Sequence, residues 1–323
     1  MRRPLFALTL SAVLVLCSTW SHAQTTRPAT QPEKTSKFLR YAPDGKGGGT
    51  LSTSTVRYQN AAGATVDLIG AVHIADPAYF HALDASFANY DALLYEMVKP
   101  KEAEILTPQK RAAREDDESP ANLSWVSMIQ HALKSTLKLS FQLDEIDYTR
   151  KNFVHADLDA ETFAKMQDER GESIFGLMLK QAIHEFAKGP GEGTAQLGLA
   201  DIVMALQDPE AARRLKLILA KQFANMDELI GGLDDPEKGT VLLTERNKAA
   251  IKVLDERLKK GDKHIGVFFG AAHLVGMEKL LAQRGFKQVG EPTWHVAWDM
   301  TAPANAPTTK PTTRPLARPT PVH

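Results

Sequence analysis

Cysteine is almost absent from this chain. Of 323 residues only Cys17 carries a thiol, and it lies inside an N-terminal apolar run. Loss of that run would leave no cysteine, which excludes a disulfide scaffold, a cysteine nucleophile and a thiolate metal centre together. Any metal would have to rest on His, Asp, Glu or Asn. No Gly-x-Ser-x-Gly elbow occurs, and the glycines at Gly189, Gly191 and Gly193 lack the Gly-Lys-Ser/Thr ending of a phosphate loop. No repeat with a period of about 20–50 residues is visible. Charge of one sign is also missing overall: 39 basic residues face 39 acidic ones. The ends are nevertheless basic, so residues 38–300 keep 31 basic and 38 acidic side chains. That balance gives no global electrostatic reason to bind nucleic acid or an anionic membrane. Composition therefore argues against a DNA-binding protein and a multi-span membrane protein. With 43% hydrophobic residues the chain has enough apolar material for a sizeable core.

What is present begins with a targeting segment. Arg2 and Arg3 precede the apolar run Leu5 to Cys17, which is short for a membrane span but suits the core of a secretory signal. Ser21 and Ala23 are the small residues expected before a cleavage point, with Gln24 as the mature start. Leu16 disfavours lipid attachment at Cys17, and Pro4 disfavours a twin-arginine route. The reading is a signal peptide over 1–23, a secreted or periplasmic product, and no stable membrane anchor after cleavage. An uncleaved anchor is the alternative. Residues 24–37 and 301–323 are rich in Pro and Thr and read as flexible tails.

The folded part is then 38–300. Val66 to Val72 reads as a buried strand, and Asp76-Pro77 as the cap and first turn of a helix. Tyr79, Phe80, Leu83 and Phe87 come next at helical spacing, and Ala92 to Met97 is a second apolar run. Strand–helix–strand order implies a parallel pair with a right-handed crossover. Residues 102–145 read as helical with a charged, loop-like break at 111–120. Asn152 to Asp157 reads as a strand end, with Asp159 capping the next helix. From 172 to 260 the pattern is mostly helical. His264 to Phe269 reads as a strand, 274–284 as a helix, and 286–289 and 293–299 as strands. The expected fold is α/β: a central, mostly parallel sheet with strand–GxxH–helix units and a large helical insertion at about 98–240.

Three Gly-x-x-His matches occur, ending at His73, His264 and His273. His264 starts its strand, whereas His73 and His273 stand where a strand gives way to a helix. Ligands of parallel α/β sheets bind at the carboxyl ends of strands, so only the last two are placed for function. Glu96 ends the strand after His73 and shares that edge. A carboxylate there must be paired, solvated or metal-bound. Two imidazoles and one carboxylate suit an open metal site for a divalent Mn, Co, Zn or Fe ion. A structural ion pair between Glu96 and Arg246 is the alternative. Thr244-Glu245-Arg246-Asn247 offers a guanidinium for an oxyanion and an amide to orient substrate or water. By pattern alone it reads as a solvated helix face with Glu245 and Arg246 pairing outward. His155 and Asp157 alternate on a predicted strand and would share a face, as an acid/base pair or as supporting residues. His81, His131 and His184 are explained by helix packing.

These residues, in this order, resemble the TraB/PrgY/GumN family, which includes the TIKI proteases and belongs to an erythromycin-esterase/ChaN-like superfamily. The resemblance rests on Gly70 to His73, Glu96, Glu245 to Asn247, and Gly270 to His273 with its continuation to Leu281. It covers the two ends of the folded region and matches 100–235 poorly. Ala156-Asp157-Leu158 departs from the Asp-Arg pair common in the family. TIKI-type members imply a metal-dependent peptidase using His73, Glu96 and His273, with a peptide or small molecule as substrate. The wider superfamily implies other outcomes, metal-independent ester hydrolysis with His as base and haem-iron binding; a protein that binds a peptide or haem without turnover is the remaining alternative.

Overall fold

The computed structural model describes residues 36–116, 137–172, 208–224 and 239–301. The expected signal peptide, most of both tails, the Gly189–Gly193 turn, His131 and His184 lie outside the described residues. Ser36 and Lys37, expected in the tail, are already tied down: the Ser36 hydroxyl accepts from Phe38 N–H, and Lys37 pairs with Glu278 at 2.5 Å.

The centre is an α/β sheet with a parallel and an antiparallel half. The parallel half is β3 (Thr65–Ala71), β8 (His264–Gly270), β5 (Ala92–Tyr95) and β7 (Phe153–His155), side by side in that order. These segments are mostly apolar because helices cover both faces of a parallel sheet, the buried exception Asp67 being paired with Arg57. Val66, Leu68, Leu93, Leu94, Val267 and Phe268 are all fully buried. The antiparallel half is built on the long β2 (Gly49–Gln59), which pairs with β3 and with β1 (Leu39–Pro43), β9 (Lys287–Gln288) and β10 (Thr293–Asp299).

The helix after β3 is α1 (Pro77–Phe87), and it buries the four residues that its periodicity marks, Tyr79, Phe80, Leu83 and Phe87. Each of the large apolar ones contributes about 1.5–3 kcal/mol on burial. Asp76 sits at the cap position but its carboxylate does not cap the helix. It accepts instead from the Lys216 ammonium at 2.6 Å and from Asp299 N–H at 2.7 Å, because a half-buried carboxylate gains more from a charged donor than from a helix amide. Two other sequence expectations are corrected between β5 and β7. The expected loop at 111–120 is helical up to Asp116, in α2 (Pro108–Asp116), where Arg111 donates to the Leu143 and Leu106 carbonyls. Thr107-Pro108 is the start signal that the charged composition hid. Within the stretch expected to be helical, β6 (Ser140–Phe141) pairs with β4 (Ile74–Ala75), and the short helix α3 (Gln142–Glu145) comes at once after it. The strand end expected at Asn152–Asp157 is β7, which returns to the central sheet beside β5 within the expected insertion.

Helix α4 (Ala160–Arg170) is capped by Asp159, which accepts from Thr162 N–H at 2.8 Å, and ends on left-handed Gly171. Helix α5 (Pro209–Ala224) lies beyond the undescribed stretch. Then a π-turn, Val241–Glu245, runs directly into α6 (Arg246–Lys259). After β8 comes α7 (Ala271–Gln283), which begins three residues earlier than its expected start at 274. Among the described residues no helix is long and apolar enough to cross a membrane.

Candidate functional site

Parallel register sets the site. Ala71 of β3 lies opposite Gly270 of β8, and Tyr95 of β5 lies opposite Phe268. The three strands end together, so His73, Glu96 and His273 leave the sheet at one edge. They converge on Gly270. A Cβ added there would stand 3.3 Å from Glu96 Oε2, 3.5 Å from His73 Nε2 and 3.8 Å from the His273 ring. Glycine keeps this point open, and its N–H donates to Glu96 Oε2 at 2.6 Å.

Glu96 is nearly enclosed, its side chain 9% exposed. Its other oxygen accepts from Arg246 Nη2 at 2.7 Å. Burial works against ionisation, but Arg246 first, then His273 and His73, hold the carboxyl well below its ordinary value. Arg246 is buried in turn, so its expected place on a solvated helix face is corrected. Its Nε and Nη2 donate to the two oxygens of Asp157 at 2.9 and 2.6 Å, a bidentate fork on a fully enclosed carboxylate. Glu245 is the member of that motif that faces outward, pairing with Arg170 and Lys248. A π-turn ends at Glu245, and Arg246, the first residue of α6, points inward. Nη1 is the guanidinium nitrogen bonded to neither carboxylate, and it stands 3.4 Å from His273 Nε2.

His273 is 4% exposed in the first turn of α7. The Asn247 amide donates to the His273 carbonyl at 3.1 Å, so its oxygen must be the end that meets Nδ1 at 2.7 Å. His273 therefore carries a proton on Nδ1, and its Nε2 faces Arg246 Nη1 at 3.4 Å and Glu96 Oε1 at 3.5 Å. Gly276 makes room for this contact, since a Cβ there would lie 2.6 Å from Asn247 Nδ2. His73 is exposed at the rim. Its Nδ1 meets the side-chain oxygen of Gln142 at 3.2 Å, and the Gln142 amide nitrogen donates to Tyr148 Oη at 2.7 Å. This presents the His73 Nε2 lone pair to the same space.

His155 and Asp157 do not form the expected pair. The strand β7 stops at His155, so the two residues no longer alternate across it. His155 Nε2 donates to the Met97 carbonyl at 2.6 Å while Asp157 serves Arg246. Both residues line a cavity of about 200 Å³ with Lys99, Lys101 and Asp159, between the loops after β5 and β7. His264 lies at the other end of β8, held by Arg57, Asp67 and the Asn89 carbonyl, which fits its exclusion from the site. His81 is a surface residue paired with Glu145.

For a divalent metal the donor chemistry fits: two imidazole Nε2 lone pairs and one ionised carboxylate, each imidazole held from behind by an amide oxygen. The spacing is looser. Among the described residues no three His, Asp or Glu side chains stand together at metal-holding separations, and Arg246 lies against both Glu96 and His273. Gln142 and Tyr148 were missed in the sequence. Gln142 reaches His73 across 69 residues, and no local pattern marks such a contact.

The sequence profile of the TraB/PrgY/gumN family matches residues 56–288, which is most of the chain, and the chain belongs to that family. Comparison with curated proteins and with solved structures returns no match.

Proposed function

We propose that this TraB/PrgY/gumN-family chain is an exported, metal-dependent hydrolase acting on peptide bonds. The observation that carries the reading is the convergence of His73 Nε2, the His273 ring and the Glu96 carboxylate on one point at the carboxyl edge of the sheet, beside Gly270. His73, Glu96 and His273 would hold the ion. A bound divalent metal would supply Lewis acidity, acidifying a water and polarising a carbonyl. Arg246, fixed by Asp157 through two of its nitrogens and set against His273 Nε2 through the third, would stabilise negative charge developing on substrate. Asn247 acts through His273, whose proton it holds on Nδ1. The choice of peptide bonds rests on the likeness to the TIKI proteases, and export rests on the N-terminal segment.

The test is stoichiometric metal analysis of the full chain after loading with Mn, Co, Zn or Fe. One ion per chain, lost in His73→Ala and in His273→Ala, is expected. No bound metal under any loading refutes the metal-dependent reading. One observation favours a second reading. The Arg246 guanidinium already lies 2.7 Å from Glu96 and 3.4 Å from His273 Nε2, so a cation is present where charge has to be stabilised. In that case His273 Nε2 is a general base for metal-free ester hydrolysis. Turnover that survives chelation and disappears in His273→Ala selects it.

A further inference from the structure

The two imidazoles are presented by different parts of the chain. His273 takes its orientation from Asn247 on α6, a helix packed on the sheet. His73 takes its orientation from the segment between β5 and β7. There β6 pairs with β4, immediately after His73, with Ile74 opposite Phe141. The next residue is Gln142. Its backbone N–H donates to the His73 carbonyl at 2.9 Å, and its side-chain oxygen meets His73 Nδ1 at 3.2 Å. Gln142 is 5% exposed and cannot swing away freely. Tyr148 holds the far end of its amide at 2.7 Å and is itself enclosed, its ring 5.0 Å from that of Tyr95 and 5.7 Å from that of Phe153. The chain Tyr148–Gln142–His73 thus runs from the core to an exposed imidazole. The backbone bond places the histidine, and the side-chain bond selects its tautomer.

We infer that Gln142 is a positioning residue for His73, holding its proton on Nδ1 and turning Nε2 to the open point beside Gly270, so that the inserted segment completes the site through this one side chain. The inference deepens the proposed function and rests on His73 taking part in it. An amide oxygen is a suitable group for the task because it only accepts, whereas an unheld imidazole exchanges its proton between the two nitrogens. Partners of this kind are worth about 10–100-fold in metal affinity when they back a ligand.

The experiment is nitrogen NMR of the histidine rings in the metal-free full chain, with His73 assigned by its loss in His73→Ala. In the wild type, His73 is expected to be protonated on Nδ1 when neutral. In Gln142→Leu the Nε2-protonated form should appear, with the His273 signals unmoved. In Gln142→Glu, whose carboxylate also accepts, the Nδ1-protonated form should persist. Wild-type His73 protonated on Nε2, or a His73 tautomer unchanged in Gln142→Leu, overturns the inference. If Gln142→Leu fails to fold, Tyr148→Phe decides: freeing the far end of the amide should bring in the Nε2-protonated form, and no change overturns it. A zinc titration of the same proteins separates this from the proposed function. A wild type that binds no zinc while the tautomers behave as expected defeats the metal reading and leaves the positioning role standing.

Discussion

The two Gly-x-x-His turns share a spelling and little else. At the first, the chain leaves β3 after Ala71, passes His73 and makes the short strand β4 before α1 begins. His73 is exposed and is served by a glutamine from an inserted segment. At the second, α7 starts on the residue after Gly270, which draws His273 into its first turn and buries it. It is served by an asparagine from a core helix and flanked by Arg246 and by the Phe269 ring at 5.6 Å. The element that succeeds the strand decides the environment of the histidine. An immediate helix packs it against the sheet; an intervening strand leaves it at the rim. One turn is packed into the core and the other stands at the exposed rim of the site.

That contrast can be broken most directly at Arg246. Arg246→Ala leaves the enclosed carboxylates of Glu96 and Asp157 without their counter-charge, and a loss of about 3–5 kcal/mol is expected in denaturant unfolding. A loss under about 1 kcal/mol would mean that the buried ion-pair network does not hold the second turn in the core. Arg246→Lys should keep part of the stability yet lower kcat by about 10²–10³-fold, since one ammonium cannot serve Asp157 and also present Nη1. At Gly276, alanine puts a methyl group against Asn247 Nδ2, with an expected cost of about 1–3 kcal/mol and a disturbed His273 tautomer. Wild-type stability with unmoved His273 signals would show that Asn247 does not fix that ring.

The histidines themselves sharpen the comparison. His273→Ala should cost about 1–3 kcal/mol, because Asn247 loses its partner in a buried site. His73→Ala, on the exposed turn, should stay within about 0.5 kcal/mol, although both should abolish turnover. Equal destabilisation by the two would erase the distinction. The smallest effect is on pH dependence. Glu96 has its folded-state value held below that of a free carboxyl, 4.5, so its contribution is complete above that pH and is lost as pH falls through the folded-state value. The unfolding free energy should decline on acidification below about pH 4.5, and less steeply in Glu96→Gln. An identical decline in that variant would remove Glu96 as a source.

The elements came through the sequence well wherever burial is local and periodic. Tyr79, Phe80, Leu83 and Phe87 announced α1, and the apolar runs before His73, Glu96 and His273 announced the parallel strands. Failures cluster where the pattern is short or charged. Two-residue β6 has no period to detect, and α2 is too polar to show a face. Arg246 read as pairing outward with Glu245 because adjacent charges usually face solvent; its buried partners Glu96 and Asp157 lie far off in the chain, where residue types alone do not reveal them.

Family and candidate residues were fixed by residue type and order along the chain: two strand-ending histidines, a strand-ending glutamate and the Arg-Asn pair. The family profile over 56–288 agrees with that reading. Which group holds which was decided only when the chain closed on itself. Glu96 and Arg246 lie 150 residues apart, Asp157 and Arg246 lie 89 apart, and His73 and Gln142 lie 69 apart. Hydrophobic periodicity is a property of neighbours, so it survives in the sequence. The partner of a buried polar group is chosen by strand register and crossover geometry, and these exist only in the folded protein.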